Sequence, residues 1–512
     1  ILLSNPHGLG STDGRVTINS RGTLQLWDVN VVGKALTLNG GVLYSSSVGE
    51  TGGSGESTWG ENITLSADSA FKAWGILTIN GVISGNAGFQ VWGALDPQSI
   101  LVLNGANAYS GNTRILEATV KLGNPAALGS GDVLVDYDST LDLNGQSVSS
   151  LGNLTLTGWG ITGSNGALTN SSSTPASYAG LVSLADEALI VGDAGTIALT
   201  NVGTITGAYN LIFDGAAGGS IASVIGTTSG TVTKEGSGTW TLSVANTYTG
   251  TTTISEGTLK VGSATALGAS TAAVSITNGA VLDLNGQTMT NTNPLTINGT
   301  GIISGGAVIN SSSTAATYAG LLTLGRASSI VGGTGTIAIS NVGTITGAGF
   351  GLTLGGAQGG SIASVIGTTS GGLTKADAGT WTLTGLNTYT GITTISAGVL
   401  SVSNLANGGS ASGIGQSSNV AANLVINGGT LKFVGTTAQS TDRLFTIGAN
   451  GGTLDASGTG TLTWSGNGTG LANAIARTNS TSPTLTLSGT GTASLAAVWA
   501  NPATSGTSSM LK

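Results

Sequence analysis

No cysteine occurs in the 512 residues, and the single histidine is His7. The missing thiols exclude a disulfide scaffold, a thiolate metal site and a cysteine nucleophile. Any Ser-His-Asp set would have to be built on His7. That residue sits between Pro6 and Gly8 and reads as solvent-exposed. Charge is scarce too: Lys and Arg number 14, Asp and Glu 22, and charged residues make up 7% of the chain, against about 25% in ordinary domains. A net charge of −8 gives no electrostatic footprint for nucleic acid. The 7 prolines are scattered, so no proline-rich or charged hinge marks a boundary between domains. No run of about 18 apolar residues is present, and no transmembrane segment is expected. No basic leader opens the sequence at Ile1, so any export signal is expected to have been removed.

What is abundant is glycine, with 88 residues, together with Ser, Thr and Asn. The glycines do not recur at every third position, so the collagen pattern is absent. Thr favours strands and Asn-Gly favours turns, while strong helix formers are rare. The expectation is an all-β protein with little or no α-helix.

Self-similarity appears at three scales. The longest period is about 141 residues: Asn144-Gly145 in LDLNGQ returns as Asn285-Gly286, and GTWTL at Gly238 returns at Gly379. A middle unit reads GTWTLSVANTYTGTTTISEGTLKVG from Gly238 to Gly262 and GTWTLTGLNTYTGITTISAGVLSV from Gly379 to Val402. A worn copy runs from Leu101 to Gly123. The shortest unit is L-x-[LI]-N-G, ending for example at Asn39-Gly40, Asn80-Gly81 and Asn104-Gly105. Its two aliphatics share one face of a strand, and Asn-Gly then turns the chain.

Short strands at this spacing suit antiparallel hairpins or a parallel β-helix. Long-range repetition without linkers favours the β-helix (β-solenoid), with about 20–25 residues per coil. One continuous solenoid is expected, divided by its repeats into residues 1–122, 123–262, 263–402 and 403–512.

The pattern GTWTL…NTYTG.TTI..G.L.V closely resembles the passenger-associated β-strand repeat of autotransporters, the type V secretion surface proteins. The stretch Ile414 to Gly458 is similar to passenger sequence as well. The resemblance implies a right-handed parallel β-helix, exported and either displayed at the cell surface or shed. It also implies that the repeat assists passage and folding of the solenoid. That family shares no single biochemical activity. The alternating aromatic strands of the family's membrane barrel are not found in these 512 residues.

Candidate chemistry is sparse. Asp132, Asp136, Asp138 and Asp142 would share one face if their strand were continuous. A solvated face is the plain reading, with calcium binding or a catalytic pair as alternatives. The second long copy has Ala273, Thr277 and Gly279 at the first three positions and keeps only Asp283. Gly-x-Gly strings open no helix and carry no dinucleotide signal. No cofactor and no metal site is expected.

Trp240 and Trp381 are equivalent in the middle repeat, as are Tyr248 and Tyr389, and they read as structural, half-buried at a corner. Asn144 and Asn285 read as structural turn residues. Trp27, Trp74 and Trp92 differ, because each closes a short [FL]-[KQ]-[AVL]-W pattern. If the first and third residues point inward, each Trp shares the outer face with Lys or Gln. Trp74 and Trp92, near one coil apart, are expected to stack. Such a row is a natural contact for a glycan, a cell-surface ligand or a second subunit.

The function these features favour is a non-enzymatic extracellular rod, structural or adhesive. Open strand edges at its ends would permit end-to-end self-association into a fibre. The alternative is a polysaccharide-degrading β-helix enzyme.

Overall fold

A computed structural model describes residues 1–11, 14–46, 55–149, 152–161, 165–466, 474–477, 483–496, 498–499 and 509–511. The expected all-β solenoid is what forms. Every named strand pairing is parallel, as in Thr23–Leu26 with Val42–Ser45 and Thr380–Leu383 with Val399–Val402. Among the described residues there is no α-helix, only 3-10 turns such as Ile302–Ser304 and Ala421–Asn423. None of these is long and apolar enough to cross a membrane. The chain forms two compact units, Ile1–Thr252 and Thr253–Lys512.

In the first unit, the early coils each carry three short strands. One wall stacks Leu24, Leu43, Phe71, Val91, Ile115 and Val135 in register. A second stacks Val31, Trp59, Ile79, Leu103 and Leu122. A third stacks Ile18, Leu38 and Leu65. All of these side chains are buried. The alternation of two aliphatics in L-x-[LI]-N-G is therefore a core signal. One coil contributes only a few such residues, and stacking makes the core continuous. The closing asparagines form ladders between coils. Asn39 Nδ2 donates to Asn19 Oδ1 at 3.0 Å, and Asn104 Nδ2 to Asn80 Oδ1 at 2.7 Å, across 20 and 24 residues.

In the second unit, Tyr318, Ile339, Ile362, Leu383, Val402 and Phe433 stack in the same way. The repeated Asn-Gly turns have the backbone their sequence requires. Asn285 has φ 46° and Gly286 φ 73°, matched by 45° and 76° at Asn144 and Gly145. Two successive positive φ angles suit Asn-Gly and little else.

Trp240, Trp381, Tyr248 and Tyr389 are fully buried rather than half-buried at a corner. Trp381 lies opposite Gly360 on the adjoining strand. A Cβ on Gly360 would stand 3.0 Å from the Trp381 ring and 2.0 Å from the Ile337 carbonyl oxygen. The glycine makes the space that admits the indole. Trp381 Nε1 then donates to the Gly355 carbonyl at 2.9 Å, and Trp240 Nε1 to that of Asp214 at 3.0 Å. Tyr248 and Tyr389 hydroxyls each bond a threonine four residues on, Thr252 and Thr393, at 2.7 Å. Tyr109 does the same with Thr113 at 2.6 Å in the worn copy.

Four residues ahead of each GTWTL string lies a buried lysine that composition alone would place on the surface. Lys234 and Lys375 are both 0% exposed. The Lys375 ammonium donates to the carbonyls of Ala376, Asp377 and Ala397, the last two at 2.7 and 3.0 Å. It closes the turn ahead of the Trp381 strand by satisfying oxygens that would otherwise be orphaned. Burial pushes its pKa down to about 8, opposed by Asp377, from an ordinary ~10.4. Burial pushes the phenols of Tyr109, Tyr178, Tyr248 and Tyr389 well above their usual range.

Together these shifts set a pH optimum. Between pH 8 and ~10 the unfolded chain holds a proton on Lys375 that the folded chain has released, so stability rises with pH. Above ~10 the unfolded tyrosines lose protons that the folded ones keep, so stability falls. The thermal midpoint should climb from pH 8 to ~10 and then drop. Lys375→Met should flatten the climb and leave the drop, as followed by circular dichroism melts at fixed ionic strength.

Candidate functional site

On the N-terminal coils of the first unit, alternate residues turn aromatic rings outward. In Ser69–Ala73 and the residue after it, Phe71 and Ala73 face the core, while Lys72 and Trp74 face out. In Phe89–Trp92, Phe89 and Val91 face in, while Gln90 and Trp92 face out. In Thr23–Leu26, Leu24 and Leu26 are buried and Trp27, next in the chain, is half-buried. Trp74 and Trp92 are 43% and 40% exposed, high for tryptophan.

The rings do not form a single straight row. Trp92 lies opposite Lys72, and Lys72 opposite Tyr44. Trp74 follows Ala73, which lies opposite Ser45, which lies opposite Leu26. Trp27, Ser46 and Trp74 thus hold equivalent places in successive coils, with Trp92 two residues out of step. The expected stack of Trp74 on Trp92 is not formed, because the local coil is 20 residues long and not 18. Trp74 instead meets Tyr44 edge-on, with centroids 5.5 Å apart and planes at 85°.

A groove of about 400 Å³ is lined by Asp68, Ser69, Gln90, Asn112 and Arg114 among others, Gln90 standing two residues before Trp92 on the outward face of the same strand. Gln90 and Arg114 face each other across the coils. Asp68 Oδ1 accepts the Gly88 N–H at 2.8 Å, and Asn112 Oδ1 accepts that of Asp132 at 3.1 Å. Arg114 Nη2 pairs with Asp136 Oδ2 at 2.6 Å. The groove thus offers fixed donors and acceptors of both kinds on the strand face that also carries Trp92. Trp92 was legible from the sequence; its polar neighbours were not, since they come from other coils.

The aspartate cluster does not converge. Val133–Val135 and Thr140–Asp142 are separate strands, with Asp138 at φ 52° in the turn between them. Asp142 is buried, not solvated. Its Oδ2 accepts Ser171 Oγ–H at 2.6 Å and lies 3.4 Å from Lys121 Nζ. Asp283 repeats this with Ser311 at 2.5 Å and Lys260 at 3.7 Å. These persistent aspartates brace the Asn-Gly turn, and Asp283 Oδ1 also accepts the Asn285 N–H at 2.9 Å. Among the described residues no three His, Cys, Asp or Glu side chains gather to hold a metal ion. His7 is exposed.

The fold defines a class, the repetitive parallel β-solenoid, and comparison with known proteins narrows it. The passenger-associated-transport-repeat family model matches residues 99–122, 232–261 and 373–402. These are the three copies of the middle unit with their flanks. Over 275 residues, 51% of this chain, the sequence is 35% identical to the adhesin BmaC autotransporter of Brucella suis biovar 1 (strain 1330). The matched stretch spans 6% of that relative's length. No solved structure matches the chain. The chain thus carries passenger-associated-transport repeats and is similar to a stretch of an autotransporter, which supports a place at the cell surface or in the extracellular medium.

Proposed function

We propose that this passenger segment works by adhesion, holding a carbohydrate chain against the outer face that carries Trp27, Trp74 and Trp92. The observation behind this reading is the pair of 43% and 40% exposed indoles on coils that also carry a polar groove. A sugar ring stacks its C–H face on an indole while its hydroxyls bond amide, carboxylate and guanidinium groups. Gln90, Asn112, Asp68 and Arg114 supply those groups in the groove, with Gln90 on the same strand face as Trp92. The adhesin name of the relative points the same way.

Binding without turnover is the expectation. Asp136 is tied to Arg114 and Asp142 to Lys121 and Ser171, so neither stands ready as a proton donor or nucleophile. Incubation with a bound polysaccharide should release no reducing ends, and steady release would instead establish the hydrolase or lyase alternative. The double variant Trp74→Ser, Trp92→Ser should lose glycan-array binding by at least about tenfold. Its circular dichroism and melting should match the parent. Retained binding, or an unfolded variant, would remove the aromatic face as the site. End-to-end association into a fibre is the further step of this reading. Sedimentation velocity across a concentration series checks it, with a single unchanging species counting against assembly.

A further inference from the structure

A second aromatic surface lies farther along the first unit. Tyr137, Trp159 and Tyr209 are 54%, 39% and 40% exposed. They are not loose side chains. The Tyr137 hydroxyl donates to Asp186 Oδ2, which holds that phenol above its usual range and Asp186 below the usual carboxylate range. Trp159 Nε1 donates to Glu187 Oε1 at 2.7 Å. Asn210 Nδ2 donates to Glu187 Oε2 at 2.7 Å, and the Glu187 N–H to Asp186 Oδ1 at 2.7 Å. Tyr209 is close enough to act on the ionisation of Tyr137.

The backbone explains the placement. Along Val182–Gly192 the register jumps from Leu156 opposite Leu184 to Gly158 opposite Ala188. The extra residues of this bulge include Asp186 and Glu187, set out from the sheet where a ladder would have paired them. Their oxygens engage the polar edges of two rings. The ring faces and the carboxylates' remaining lone pairs are left for something else.

The charge there is uncompensated. Among the described residues no lysine or arginine forms an ion pair with Asp186 or Glu187. Nearby, Glu235 is held above its usual range by burial and by Asp214 and Glu187, opposed by Lys234. Nor does the scaffold require these groups. The second long copy has the same bulge, between Ile297 and Gly299. It carries Asn278 for Tyr137, Thr300 for Trp159, Arg326 for Asp186 and Ala327 for Glu187.

We propose that Tyr137, Trp159, Tyr209, Asp186 and Glu187 form a docking surface for a basic polypeptide segment of a partner protein. Its arginine or lysine heads lie over the rings and pair with the two carboxylates. Charge complementarity selects this occupant. A neutral glycan could share hydrogen bonds with these carboxylates but would leave their charge without a counter-ion. The surface follows the carbohydrate groove along the same wall, Tyr137 coming next after the Asp136 that pairs with Arg114, but the proposal does not depend on the carbohydrate reading.

The test titrates the full chain with a labelled hexa-arginine peptide at low and at physiological salt. Binding should weaken as salt rises. The quadruple variant Tyr137→Asn, Trp159→Thr, Asp186→Arg, Glu187→Ala should bind at least about tenfold more weakly. It carries what the second copy already holds on the same bulge, so it should fold and melt like the parent. Should it fail to fold, Asp186→Asn with Glu187→Gln keeps the rings and must still lose most of the affinity. Equal affinity in parent and variant would mean diffuse attraction to an acidic protein and would overturn the proposal. So would no binding at all, or maltohexaose binding this patch while hexa-arginine does not.

Discussion

Trp381→Ala should cost about 3–5 kcal/mol, the range for emptying a buried aromatic site. The indole is fully enclosed, stands over Gly360 and caps the Gly355 carbonyl at 2.9 Å. Removing it leaves a cavity and takes from the Gly355 carbonyl its shorter hydrogen bond, leaving only the Gly332 N–H at 3.2 Å. The neighbouring coils cannot collapse into the space, because their own backbones are locked in register on both sides, at Gly359–Ile362 and at Val399–Val402. The loss should therefore be felt locally. Hydrogen exchange should speed up in those two strands first, with distant coils unchanged, as expected of a repeat array. Trp381→Phe should lose less, since it keeps most of the volume. A Trp381→Ala loss below about 1 kcal/mol by denaturant titration would mean that the ring is not the core element described.

Arg443→Ala should have an effect of similar size, at least about 3 kcal/mol, from the loss of a buried side chain and the four hydrogen bonds its cation donates. The side chain is 2% exposed. Nε donates to the Ala406 carbonyl at 3.0 Å, and Nη1 to Ser417 Oγ at 2.9 Å. Nη2 donates to the Ser410 and Gly415 carbonyls at 3.1 and 2.9 Å. One planar fork thus gathers the long loop between Val399–Val402 and Leu424–Ile426. The adjacent Asp442 helps, accepting the Gly408 N–H at 2.7 Å. Arg443→Lys should not rescue, because an ammonium cannot aim donors in these fixed directions. Limited proteolysis should nick the variant within residues 403–423 while the parent stays whole. An uncut variant would refute the clamp.

Much of the solenoid could be read from the sequence because its signals are periodic. The aliphatic pair before Asn-Gly gave the inward face. Depth of burial was not readable in the same way. Trp381 owes its enclosure to Gly360 on another coil, and nothing local links the two strings. The Trp74 and Trp92 offset was misjudged because coil length varies, so a spacing of 18 does not identify neighbours. Lys375 and Arg443 were invisible for a different reason. Their partners are mostly backbone carbonyls, which every residue has, so no motif announces them. Asp142 and Asp283 were legible as a persistent pair, yet their partners Ser171 and Ser311 lie about one coil away.

The twinned braces bear on how such a gene can change. Asp142 and Asp283, Asn144 and Asn285, and Trp240 and Trp381 each meet equivalent partners in the two long copies. An unequal crossover between the copies would therefore delete or add a whole cassette and still offer each side chain at the seam a familiar partner. Outward residues are under no such constraint, as Asp186 and its counterpart Arg326 show. Length and surface can drift independently here, so a lineage could alter what this protein touches without relearning how to fold it.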